Sequence, residues 1–169
     1  MAFIDNISIC KLGGHEGSHP EFVGSFPGII GQEDELIDKS MPFGTLPGTF
    51  RSNKIEGMNI FSYTFKIKNE NEGVRDDLAS ISVIVSDKKV NVDQMEILFK
   101  EIMKVLEASG QLHVLRSSTL IQMMERIYNG VNKSEKIKID TLTVDVPQII
   151  KKQKLIIMKK ELAEFQGAF

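Results

Sequence analysis

Residues 61–68 alternate strictly between large apolar and small or polar side chains. Phe61, Tyr63, Phe65 and Ile67 are separated by Ser62, Thr64 and Lys66, a period of two that sets four large side chains on one face of a strand. A polar run over 69–76, with Gly73, follows. The alternation then resumes, Ala79, Ile81, Val83 and Val85 against Ser80, Ser82, Ile84 and Ser86. Two such runs joined by a polar turn predict adjacent antiparallel strands with one face on a core and the other more polar. The period next becomes helical. Met95, Leu98, Phe99, Ile102 and Leu106 form one continuous stripe over 91–109, with Asn91 and Gln94 placed as a capping box. A second helix is predicted over 118–129, its stripe Leu120, Ile121, Met124, Ile127 and Tyr128, with Gly130 beyond its end. Both stripes need a covering surface, and the aromatic strand face is the available one.

Ahead of this block, residues 3–12 read as a first strand closed by Gly13-Gly14, and 22–26 as a second broken by Pro27-Gly28. Residues 32–39 predict a short acidic helix and 48–55 a further strand. After Gly130 an extended segment carries Ile137, Ile139, Leu142, Val144 and Val146, its facing slipping near Thr141. Pro147 opens a terminal helix running to about Gln166. The expected organisation is a domain over 1–130 and an extension over 131–169. The 169 residues are enough for one domain, and folding at that length hides roughly 70% of the unfolded surface. A net charge of −2 supplies no general attraction to nucleic acid, so none is expected as a partner. Cys10 is the single cysteine, which excludes an intramolecular disulfide and fits a reducing, cytoplasmic setting.

The sharpest motif is His15-Glu16-Gly17-Ser18-His19, a formal match to the zinc-hydrolase pattern H-E-x-x-H. That chemistry requires both imidazoles on one helical face with the glutamate as general base. Glycines at 14 and 17 and Pro20 oppose a helix, and the expectation is a loop without metal or cofactor; a metal-dependent hydrolase is the competing reading. No nucleophile elbow or phosphate-binding loop occurs, so no catalytic residue is assigned and the chain is read as no enzyme.

Lys151, Lys152, Lys154, Lys159 and Lys160 make the terminal helix basic, and a peripheral membrane protein is a third reading. The lysines spread around the helix, however, whereas Leu155, Met158, Leu162 and Phe165 keep a spacing of three, four and three suited to a helical partner or groove. These four are the candidate partner-binding residues. Arg75, in the polar turn beside Asp76 and Asp77, is a fifth candidate, since an exposed arginine could enter a GTPase site.

The predicted order, strand, strand, short helix, three strands, two helices, resembles the longin fold: an α+β architecture with a five-stranded antiparallel sheet and helices on both faces. Roadblock-type modules, by contrast, begin with a helix. The string His19-Pro20-Glu21-Phe22-Val23-Gly24-Ser25-Phe26-Pro27 is similar to the second-strand region of upstream-DENN longin domains. The stretches Tyr63-Thr64-Phe65 and Arg75-Asp76-Asp77-Leu78-Ala79-Ser80-Ile81 are similar to their central hairpin. The resemblance covers about residues 1–130 and points to archaea that carry eukaryote-like trafficking proteins. It implies a non-enzymatic adaptor or small-GTPase regulator acting in vesicle trafficking or signalling. Expected partners are a small GTPase, a second longin or roadblock-type subunit, or a second copy in a homodimer. The fold departs from a minimal longin domain in its short first helix and in the extension, which could cover the second sheet face or recruit a partner.

Overall fold

The computed structural model describes residues 4–13, 17–28, 31–42, 44–67, 75–108, 117–139 and 142–167. The strands are β1 (Asn6–Leu12), β2 (Glu21–Phe26), β3 (Phe50–Ile55), β4 (Met58–Ile67), β5 (Asp77–Val85), β6 (Lys136–Ile139) and β7 (Leu142–Asp145). The helices are α1 (Glu33–Ser40), between β2 and β3, α2 (Val92–Ala108) and α3 (Ser117–Lys133), between β5 and β6, and α4 (Val146–Gly167) at the end. Five strands pair antiparallel in the order β2-β1-β5-β4-β3, and β6-β7 make a separate hairpin. The two long alternating strands lie inside the sheet, where their backbone groups are paired on both sides. The shorter β2 and β3 form the edges, as an unguarded strand demands.

The apolar face carries the main core. Phe61, Tyr63, Phe65 and Ile67 meet Ile81, Val83 and Val85 across the β4–β5 register, and Ile7 and Ile9 extend the surface onto β1. The whole predicted stripe of α2 is buried against it, joined by Met103. Asn91 caps α2, its Oδ1 accepting from the Gln94 amide at 3.1 Å.

The phase of α3 differs from expectation. Met123, Met124, Ile127 and Val131 enter the core while Ile121 is 46% exposed; the side chain of Leu120 lies outside the described residues. Gly130 does not end the helix. The chain runs on to Lys133 and closes with a Schellman motif in which Ser134 takes the left-handed conformation (φ 52°). Here the Glu135 amide donates to the Gly130 carbonyl at 2.9 Å and the Ser134 amide to that of Val131 at 3.3 Å. Gly130 instead allows a close approach: a β-carbon there would collide with Ile137 of β6.

The segment beyond residue 130 therefore packs on the α2–α3 side. Val131, Ile137, Val144, Val146 and Ile149 share the main core, and Asn132 holds Ile4 through two hydrogen bonds of 2.8 and 2.9 Å. It does not cover the second sheet face; that is the place of α1. The apparent slip near Thr141 falls between β6 and β7, where residues 140–141 lie outside the described residues.

Beneath α1 the sheet is polar. Leu36 meets Ile55, Ile60 and Ile84 in a small second core, with Phe22 and Met58 packed at its margin. Two neighbouring registers across the central strands read Ser8–Ser82–Ser62 and Cys10–Ser80–Thr64, all six residues buried. Their small side chains admit a helix of one or two turns close to the backbone. No described helix is long and apolar enough to cross a membrane.

Candidate interaction surface

The terminal helix starts on a local cap. Asp145 Oδ1 accepts from the Gln148 amide at 3.1 Å, and Pro147, lacking a donor, sits in the first turn where none is needed. The helix then docks by one narrow face. Val146, Ile149 and Gln153 are buried, and the Gln153 side-chain amide donates to the Gln94 carbonyl at 2.7 Å. Lys152 reaches Glu101 of α2 at 3.7 Å, an exposed pair that contributes little. Gln94 stands at the N-terminal end of α2, so at Gln153 α4 runs out of helix to pack against. Residues 154–167 continue past it for about 20 Å at the usual rise per residue.

On that projecting part lie Leu155, Met158, Leu162 and Phe165, which are 54%, 56%, 53% and 65% exposed. At about 100° per residue, Val146, Ile149 and Gln153 cluster around one direction and the four exposed residues around the opposite one. Helix α4 thus carries two apolar stripes back to back. The proximal stripe is spent on the body and the distal stripe faces away from it. Lys154 and Glu161 flank the distal stripe on one side, Lys159 on the other. The sequence supplied the four residues and their spacing, but not their relation to the docked face, which depends on Gln153 meeting Gln94.

Arg75 stands apart from this seam. It is exposed just before β5, whereas α2 begins beyond the other end of that strand, so the fold does not bring Arg75 and the terminal seam together. Neighbouring Asp77 pairs with Lys11 of β1 at 3.2 Å. In the H-E-x-x-H string, His15 and Glu16 lie outside the described residues. Among the described residues of the string, Gly17 has φ 80° and His19 is exposed, and neither lies in a helix, the setting that the zinc chemistry requires.

Among the described residues, three titrating groups are displaced. Burial pushes the Cys10 thiol up, opposed in part by the Ser40 hydroxyl beside it. Burial also raises Tyr63, helped by the Glu107 charge and opposed by Lys100. The Glu107 carboxyl is raised by desolvation. Under α1 the Ser62 and Ser82 hydroxyls bond to each other at 2.8 Å, while the Ser8, Thr64 and Ser80 hydroxyls have no partner among the described residues. The sequence showed these positions as alternating polar residues and could not show that a helix covers them.

Compared with known proteins, the chain matches no protein-family model and no curated protein.

Proposed function

We propose that the chain is a non-enzymatic protein-interaction module of longin type, recognising another protein through the outward seam of its terminal helix. The observation that carries this reading is the projection of Leu155, Met158, Leu162 and Phe165 from the body on the side away from the docked face. Isolated exposed leucines are ordinary, but four large apolar side chains in register on a helix that has outrun its support form a ready interface. The order ββαβββαα and the five-stranded sheet with α1 on one face and α2 and α3 on the other support the longin part. In that family the expected work is as an adaptor or component of a small-GTPase regulator. Arg75 has no share in the seam and is not carried forward as a contact.

The test is a double substitution, Leu155→Glu with Leu162→Glu, in the full chain. The far-UV circular dichroism and urea midpoint should be unchanged, because neither residue is in the core. Solution mass or retention on an immobilised partner should fall. If mass and partner binding both stay at the level of the unsubstituted protein, the seam is not the recognition element.

A further inference from the structure

We infer that α1 is a hinged cover: it lifts from the sheet as a unit while the rest of the fold stays intact, and in lifting it uncovers the buried hydroxyl rows and Cys10. The span that moves is fixed at both ends. Before it, the Asn6 side chain donates to the Pro27 carbonyl. After it, the Gly48 amide donates to the Thr64 carbonyl at 2.7 Å and the Thr64 amide to that of Thr49 at 3.1 Å. Between these anchors Gly31 and Gly44 flank the helix, with φ of 84° and 82°. A β-carbon at either would meet open space among the described residues, so both joints can turn without displacing a neighbour.

The buried residues of α1 are Leu36, set in the small apolar cluster, and Ser40, which lies against Cys10. Gln32, at the N-cap, donates its side-chain amide to Glu56 at 2.8 Å across an exposed surface and does not cap the first turn. A helix of eight residues has no stability of its own, so α1 persists only while Leu36 stays seated. The surface below favours release. The Ser8, Thr64 and Ser80 hydroxyls, each at most 1% exposed, find no partner among the described residues, and water reaching them on opening supplies one. The opposite face offers no such gain, since lifting α2 would expose Phe61, Phe65, Leu98 and Phe99 instead. Opening is therefore confined to α1.

The opened molecule presents a different surface. Cys10, the single cysteine of the chain and 1% exposed when covered, becomes reachable from solvent. A bulky group joined to its sulfur finds no room beneath α1 and holds the cover off.

Labelling of Cys10 in the full chain reads the motion. The probe is an excess of an aromatic disulfide: the Cys10 sulfur forms a mixed disulfide with one half as the other half leaves as a thiolate. The expected rate is proportional to reagent concentration and nearly independent of urea below the unfolding transition, because opening exposes a small part of the surface that unfolding does. Leu36→Ala should speed labelling about thirtyfold or more. Ile102→Val, in the opposite core, should lower the urea midpoint and leave the labelling rate unchanged. Hydrogen exchange gives a second reading that needs no substitution. In the unlabelled chain the amides from Leu36 to Met41 should exchange faster, and with less dependence on urea, than those of β4 and β5. In the labelled chain they should lose protection while β4 and β5 keep theirs. The inference is overturned by labelling that follows global unfolding through urea, or that answers Ile102→Val as strongly as Leu36→Ala. It is equally overturned by α1 amides as protected as the centre of the sheet, or by a labelled chain in which the sheet loses protection too.

Discussion

Gly130→Ala is a substitution whose sign depends on tertiary packing. At an open position inside a helix, glycine costs about 0.8–1 kcal/mol relative to alanine, so the exchange would ordinarily stabilise by that amount. Here the added methyl would land on Ile137 Cγ1 and come within 3.0 Å of its Cδ1 and 3.4 Å of the Glu135 carbonyl oxygen. Ile137 is 1% exposed and wedged in the main core, so it cannot swing aside freely. Overpacking of this kind costs about 1–3 kcal/mol. Set against the helix gain, the net expectation is a loss of about 0–2 kcal/mol. Urea denaturation followed by circular dichroism would show it as a lower midpoint at constant m-value. Truncating Ile137 to alanine removes the colliding atoms and by itself costs about 2–5 kcal/mol. The double variant should then lose less than the sum of the two by about 1–3 kcal/mol. A Gly130→Ala protein more stable than its parent, or a strictly additive double variant, would refute the packing of β6 on α3.

Other positions carry simpler expectations. Ser134→Gly should stabilise by about 0.5–1 kcal/mol in the same denaturation assay, since glycine occupies the left-handed conformation without strain. Phe65→Ala or Phe99→Ala should cost about 3–5 kcal/mol, both rings being buried; a loss under 1 kcal/mol in urea would contradict the assigned core. Ser62→Ala should destabilise by about 1 kcal/mol, leaving Ser82 unpaired, whereas Thr64→Val should be neutral or stabilising because its hydroxyl has no protein partner to lose. Glu107 has a folded pKa raised above its ordinary 4.5, so its ionisation opposes folding increasingly as pH rises through that range and is without effect well below it. Glu107→Gln should accordingly raise the melting temperature at pH 7 and leave it unchanged near pH 3.

Periodicity revealed most of the fold because one sheet face is so apolar. Phe61, Phe65, Ile81 and Val83 admit one register, since a slip of a single residue would turn all of them to the other side. The stripe of α2 was equally legible, with both neighbours in the core contributing to a single period. Helix α3 was not. Gly130 carries the usual signature of a helix end, and only the contact with Ile137 shows that its missing side chain serves an approach from residues further along. Taking the helix to stop there shortened it and turned its stripe toward Ile121, which faces out. The candidate site divides in the same way. The spacing of Leu155, Met158, Leu162 and Phe165 was visible as a string, while the low overall amphipathicity of the helix concealed that its two apolar stripes lie on opposite faces and serve different ends.

The sheet's two faces place unequal demands on what covers them. On one, large aromatic and branched side chains bury against α2 and α3, and removal of that cover would expose most of the apolar core. On the other, α1 contributes Leu36 to a cluster with Ile55, Ile60 and Ile84, and otherwise lies over serine, threonine and one thiol. Hydroxyls without protein partners gain hydrogen bonds when water reaches them, so part of the cost of lifting α1 is offset by the surface it uncovers. The apolar face must therefore supply most of the cooperativity of folding, with α1 held through a small apolar cluster and more local in its stability. That division also explains the position of the extension. The β6–β7 hairpin and the base of α4 add to the face that is already apolar, where Ile137, Val144, Val146 and Ile149 find partners. Over the hydroxyl rows the same four side chains would meet polar groups instead. The route of the chain after Lys133 follows from where its apolar residues can be buried, and that route carries the distal half of α4 clear of the body.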